Sequence, residues 1–167
     1  LNNIQFSIDG ATENSHDWLR NKKGLFENLL HTIMQLNILR RKAKSDIKIS
    51  AVCCLNKRNY EELPKIIELC KRLGIDILRV QPLMKMGRAK EGLDAYSLSK
   101  NEYIQAANYL LVNRYKNIQK DGISIEWCDS LEHLFMEQLD FIQVNEKGEL
   151  LLSPYIPIII GDLKKHS

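Results

Sequence analysis

The sequence predicts an α/β fold of three parallel strands with two crossover helices, and three observations carry that prediction. Period-two alternation recurs at residues 3–9, 45–55 and 75–82. Between these segments lie two stretches with apolar residues at helical spacing, and the connections are short. A strand-helix-strand-helix-strand order with right-handed crossovers makes a parallel sheet.

Each element has its own signal. In "NIQFSID", Ile4, Phe6 and Ile8 alternate with Gln5, Ser7 and Asp9. Residues 10–24 read as a loop with one helical turn. Residues 25–44 carry Leu25, Phe26, Leu29, Leu30, Ile33, Met34 and Leu36 on one helical face. The run "LRRKAK" then falls at a helix end, where cations suit the macrodipole and a solvated terminus is expected. "YEELPKIIELCKRLG" is a second amphipathic helix, with Pro64 in its first turn and Gly74 as a left-handed cap. "IDILRVQP" is the third strand, and 83–98 is a long loop. After residue 95 the character changes. A long helix opens at Ser99, with Glu102 completing a capping box. "ISIEW" is a short strand, and 139–154 is a hairpin turning at "NEKG". The expected division is thus 1–95 and 96–167.

Composition excludes several classes. At 44% hydrophobic and 27% charged the chain is globular, and a net charge of +3 with scattered basic residues does not suit nucleic acid. No apolar stretch approaches the roughly 20 residues that span a bilayer, and no signal peptide is visible. Cys53, Cys54, Cys70 and Cys128 match no metal spacing, so buried thiols in a reducing cytoplasm are expected and no metal site is assigned.

Polar residues fall where a parallel strand should be dry. Gln5, Ser7 and Asp9, then Ser50 and Cys54, then Arg79 and Gln81 share one face if the helices cover the other. That face is either a wetted open sheet or the lining of a barrel lumen, with ligand contacts near the carboxyl ends of the strands.

"IQFSIDGATENSHDWLRNKKGLFENLLHTIMQL" resembles the fourth strand and following helix of radical S-adenosylmethionine (radical SAM) enzymes. The similar branch modifies peptides and proteins and carries a SPASM or twitch extension. The residues that carry the resemblance are Ser7-Ile8-Asp9-Gly10, His16-Asp17 with Arg20, and Gly24-Leu25-Phe26. Asn59 and Gly87-Arg88 extend it to about residue 90, and "FIQVNEKGELLLSPYIPIIIGDLKK" resembles the extension's hairpin.

The resemblance implies the later half of a partial (β/α) barrel, then a small α+β SPASM/twitch-like extension. Ser153 stands where the family usually has a cysteine, so the extension is expected to be cluster-free. The family's Cys-x-x-x-Cys-x-x-Cys loop for the [4Fe-4S] cluster is absent from this sequence, and Cys53, Cys54 and Cys70 cannot replace it. S-adenosyl-L-methionine and the cluster are therefore expected in a full-length parent, with neither held stably by this chain.

By the same resemblance Ser7 and Arg20 contact the cofactor's carboxylate, and the backbone from Val52 through Cys54 to Leu55 lies at its adenine. Gln81 either faces that pocket or is a structural amide. Arg20 otherwise pairs with Asp17, and Asp9 otherwise holds loop amides. His16 and His31 read as loop and helix-surface residues, and Arg88 either closes over substrate or folds its loop.

The expected function is that of a fragment of a maturase-like enzyme. Its parent generates a 5′-deoxyadenosyl radical that abstracts hydrogen from a peptide or protein substrate, and the chain alone is inactive. The alternative is a stand-alone, non-catalytic peptide- or partner-binding half-barrel, self-associating through strand edges exposed where the sequence begins. A third reading, a small α/β enzyme built on Ser7, Asp9 and Arg20, has no base–nucleophile pair to support it.

Overall fold

The computed structural model describes residues 2–84, 92–118, 122–128, 143–151 and 159–165. They divide into two compact units, Leu1–Cys128 and Asp129–Ser167.

The first unit contains β1 (Asn3–Ser7), α1 (Glu13–Arg20), α2 (Leu25–Lys42), β2 (Lys48–Leu55), α3 (Leu63–Arg72), β3 (Ile77–Pro82), α4 (Lys100–Ile118) and β4 (Ser124–Trp127). The strands form one parallel sheet in the order β1-β2-β3-β4. This corrects the expected three strands with two crossovers. Ser124–Trp127 of "ISIEW" pairs with β3 in parallel, α4 is the crossover that delivers it, and both fall in the unit Leu1–Cys128. The strand is short and follows the residues that break the pattern, so sequence alone detached it from the sheet.

The core has a direct cause in the alternation. Ile49, Ala51, Cys53 and Leu55 of β2 are fully buried, as are Leu78 and Val80 of β3. They join Ile8, Ile33, Ile66, Cys70, Ala106, Leu110 and Ile125 in one hydrophobic cluster. Removing a central side chain such as Leu78 typically costs about 2–5 kcal/mol.

Local chemistry fixes the helix ends. Gly74 adopts φ +68°, its N–H bonds to the Lys71 carbonyl, and the Ile75 N–H bonds to the Cys70 carbonyl, the paired bonds of a Schellman cap. Ser99 and Glu102 form the expected reciprocal cap of α4, at 2.7 and 3.4 Å.

The basic end of α2 is more than a solvated terminus. The Arg40 guanidinium donates to the Asp76 carboxylate, to Asn37 Oδ1 and to the Ile47 and Gly74 carbonyls. Asp76 also accepts the Ile49 N–H at 2.8 Å. One arginine thus ties α2 to the starts of β2 and β3.

The second unit holds an antiparallel sheet of β5 (Gln143–Val144), β6 (Glu149–Leu151) and β7 (Ile159–Asp162). The turn between β5 and β6 falls at Asn145–Gly148 as expected, with Gly148 at φ +81°. Ser153, Gly87 and Arg88 lie outside the described residues. Among the described residues no helix is long and apolar enough to cross a membrane.

Replacing Arg40 with Ala should cost about 2 kcal/mol, since several charge-assisted bonds vanish together. Urea denaturation checks this, and an unchanged midpoint would show that the junction is held elsewhere.

Candidate functional site

Register decides where the polar residues go. Gln5 pairs with Ser50 and Ser50 with Ile77, while Ser7 pairs with Val52, Val52 with Arg79 and Arg79 with Glu126. Cys54 pairs with Gln81. Residues paired across a sheet share a face, so the polar sets of all the strands look the same way. Arg79 Nε donates to Glu126 at 2.7 Å, and its Nη1 reaches over β2 to Gln5 Oε1 at 2.9 Å. Ser50 is fully buried in that row and its hydroxyl has no partner among the described residues.

The carboxyl end of β1 is the most densely bonded part of this region. Asp9 is fully buried. Its Oδ1 accepts the Cys54 N–H at 2.8 Å and its Oδ2 accepts from Arg20 Nε at 2.5 Å. Its carbonyl accepts from Asn59 Nδ2 at 2.7 Å, and its N–H donates to His16 Nδ1 at 3.1 Å. Asn59 also bonds the Cys54 carbonyl and accepts the Asn56 N–H, clipping the ends of β1 and β2 together. Glu62 accepts from the Ala11 N–H and the Ser15 hydroxyl, both at 2.8 Å.

These partners correct several expectations. Residues 13–20 form a two-turn helix rather than a single turn, started by Thr12 accepting the Ser15 N–H and ended by Asn21 at φ 52°. Arg20 pairs with Asp9, not Asp17. Asp17 instead accepts the Gly24 and Phe26 N–H groups, at 2.6 and 2.8 Å, and so caps α2. His16 is not a loop residue: it sits in α1, is 1% exposed, and stands 5.5 Å from the Phe26 ring.

Gly10 is required by space. A Cβ there would lie 2.1 Å from the Ser15 hydroxyl and 2.7 Å from the His16 nitrogen. Asn59 and Gly10 are legible in the sequence only as motif letters and Glu62 not at all, because their partners lie on another element or loop.

The remaining candidates are distributed as follows. Ser7, His16 and Arg20 line an open cavity of about 330 Å³, together with Phe6, Leu25 and Asn28 among others. Arg20 is 36% exposed, and its Nη1 and Nη2 have no partner among the described residues. Val52, Cys54 and Gln81 are half-buried on the shared face, beside rather than within that cavity. The Val52 carbonyl is taken by the Ile8 N–H, and the Cys54 carbonyl by Asn56 and Asn59.

Burial pushes the Cys54 thiol up to about 11 and the Cys70 thiol up to about 12, and it raises Cys53 further from its ordinary value. Among the described residues no group of three or more His, Cys, Asp or Glu side chains is placed to hold a metal.

No protein-family model matches the chain. It is 32% identical to the sporulation killing factor maturation protein SkfB of Bacillus subtilis over 102 residues, 61% of this chain and 23% of that protein. It is 27% identical to an AdoMet-dependent heme synthase of Methanosarcina barkeri over 183 aligned residues, 97% of this chain and 50% of that protein. The fold is similar to that of Streptococcus suis SuiB, solved bound to the precursor peptide SuiA, with a TM-score of 0.62 at 11% identity, covering 90% of this chain and 36% of that one. The chain spans half or less of the length of each curated relative.

Two outcomes test this geometry. Gly10→Ala should cost about 3 kcal/mol, because α1 must shift off β1, and thermal melting measures it. Burial lowers the His16 pKa from its ordinary 6.5, against the opposing pull of Asp9. The unfolded chain then binds more protons than the folded one just below pH 6.5. The His16 contribution is therefore complete above that pH and is lost as pH falls towards the folded-state value. Urea midpoints between pH 7.5 and pH 5 should show a decline that His16→Asn reduces.

Proposed function

We infer that this relative of the radical SAM enzymes is the carboxyl-terminal part of a maturase that modifies a peptide or protein. The observation that carries the reading is the state of Arg20. Its Nε is fixed by a buried carboxylate, its outer nitrogens are open, and the Ser7 hydroxyl lines the same cavity. A hydroxyl and a planar guanidinium complement a carboxylate. The Asp9 charge is balanced by Arg20, so the pair is neutral towards such a ligand and meets it through the open guanidinium N–H donors. The donor set thus fits the methionyl carboxylate of S-adenosylmethionine, at the carboxyl ends of parallel strands where α/β folds bind ligands.

In this reading Ser7 and Arg20 bind and orient the cofactor carboxylate. Asp9 acts through Arg20 and through the Cys54 N–H, so it positions rather than touches. Val52 and Cys54 offer the adenine a surface, since their carbonyls are already bonded, and the Gln81 amide supplies a polar edge beside them. With cofactor and [4Fe-4S] cluster bound, the chemistry supplied is reductive cleavage to a 5′-deoxyadenosyl radical. The buried thiols of this chain do not ligate that cluster, so its ligands belong to other parts of the parent, and the chain by itself is inactive. The four-stranded sheet corresponds to the later part of a partial barrel, and the β5-β6-β7 sheet to a SPASM/twitch-like extension. A peptide substrate agrees with the precursor peptide carried by SuiB.

A second reading, a stand-alone module that binds a peptide or a further copy of itself, is favoured by the position of β1 at the edge of its sheet. Light scattering across concentrations separates the two. A monomer throughout favours the maturase part, and a concentration-dependent dimer favours the module.

Isotope-labelled chain titrated with S-adenosylhomocysteine should show perturbations at Ser7 and Arg20. Ser7→Ala and Arg20→Ala should each weaken binding about tenfold, equivalent to about 1.4 kcal/mol. Wild-type affinity in both variants would remove the carboxylate assignment. Reconstitution with iron and sulfide should leave the chain without visible cluster absorbance, and a stable chromophore would overturn the proposed division of labour.

A further inference from the structure

Among the described residues three buried side-chain polar atoms lack a partner, and one of them is Nε2 of His16, a residue of the cavity that Ser7 and Arg20 line. The state of this ring follows from its other nitrogen. Nδ1 accepts the Asp9 N–H at 3.1 Å, so it carries no proton, and the neutral imidazole bears its hydrogen on Nε2. A buried N–H with no acceptor is costly and calls for a reason. Among the described residues none accepts from it. Asp9 spends both oxygens on Arg20 and Cys54, and Asp17 spends both on the start of α2. Thr32, another residue of the cavity wall, turns its hydroxyl to the Asn28 carbonyl.

We infer that His16 is a third donor to the ligand carboxylate, presenting Nε2–H beside the Ser7 hydroxyl and the outer nitrogens of Arg20. The cavity then offers three donors and no free acid, its one cation being charge-balanced by Asp9, against the apolar surfaces of Phe6, Leu25 and Leu29. A single carboxylate on a slender, partly apolar body matches that lining, which is the chemistry of an amino-acid carboxylate. The inference rests on the cofactor-carboxylate reading and adds His16 to it. It also explains why a histidine is buried one turn ahead of Arg20: the Asp9 amide fixes its tautomer, and the Asp9 carboxylate fixes Arg20, so one residue sets two donors.

Two substitutions separate binding from packing. Asn at position 16 can keep an acceptor for the Asp9 N–H but offers nothing at the Nε2 position. Gln places an amide donor near Nε2 and gives up that acceptor. His16→Asn should therefore be the more stable variant in thermal melting and the weaker binder of S-adenosylhomocysteine, by about tenfold, while His16→Gln should show the reverse order. A merely structural histidine would rank the variants the same way in both measurements, and that result would overturn the inference. Nitrogen-15 spectra of the wild-type imidazole need no variant. They should show the Nε2–H tautomer, with its proton shifted when the probe is added, and an Nδ1–H tautomer would likewise overturn the inference. If the probe perturbs Ser7 and Arg20 but leaves His16 unmoved, His16 alone is misassigned. If it perturbs none of the three, the carboxylate reading falls with it.

Discussion

One buried carboxylate organises this molecule. Asp9 is fully enclosed, and an enclosed charge is tolerated only when it is paired and hydrogen-bonded. Arg20 supplies the counter-charge and the Cys54 N–H the second bond. Because Arg20 ends α1 and Cys54 lies on β2, satisfying that single group draws helix and neighbouring strand to the tip of β1. The Asn59 and His16 bonds to the backbone of the same residue complete the closure. Remove the charge, and Arg20 and the Cys54 N–H lose the partner that draws α1 and β2 to this tip.

The sequence announced the scaffold more clearly than the site. Alternation in Ile4-Phe6-Ile8 and in Ile49-Ala51-Cys53 is a property of consecutive residues, so two helix-covered strands and their polar faces were readable. Capping signals are equally local, and Gly74, Pro64 and the Ser99–Glu102 box stand where the residue types suggested. Failures came from pairing at a distance. The four residues of β4 join the sheet through their partners on β3, a fact that no window around Ile125 contains. Arg40 reads as one more surface cation until Asp76, thirty-six residues on, is brought beneath it.

At the site the same distinction holds. Ser7, Asp9 and Arg20 were singled out from a motif, but the motif does not say who pairs with whom. Nearness in the chain offers Asp17 as a partner for Arg20, whereas Asp17 accepts the unsatisfied amides opening α2. His16 looked polar and therefore exposed, and only the close seat of α1 on Gly10 explains its burial.

The diagonal reach of Arg79 across β2 gives the polar face a direction. Its guanidinium roofs the Ser50 row and, with Glu126 and Gln5, leaves that half internally neutral and occupied. The half nearer the strand tips keeps the Ser7 hydroxyl, the Gln81 amide and the outer nitrogens of Arg20 without partners among the described residues. The face is therefore polarised along its strands, its side-chain ion pair at one end and its open donors at the other, a division set by the length of the Arg79 side chain.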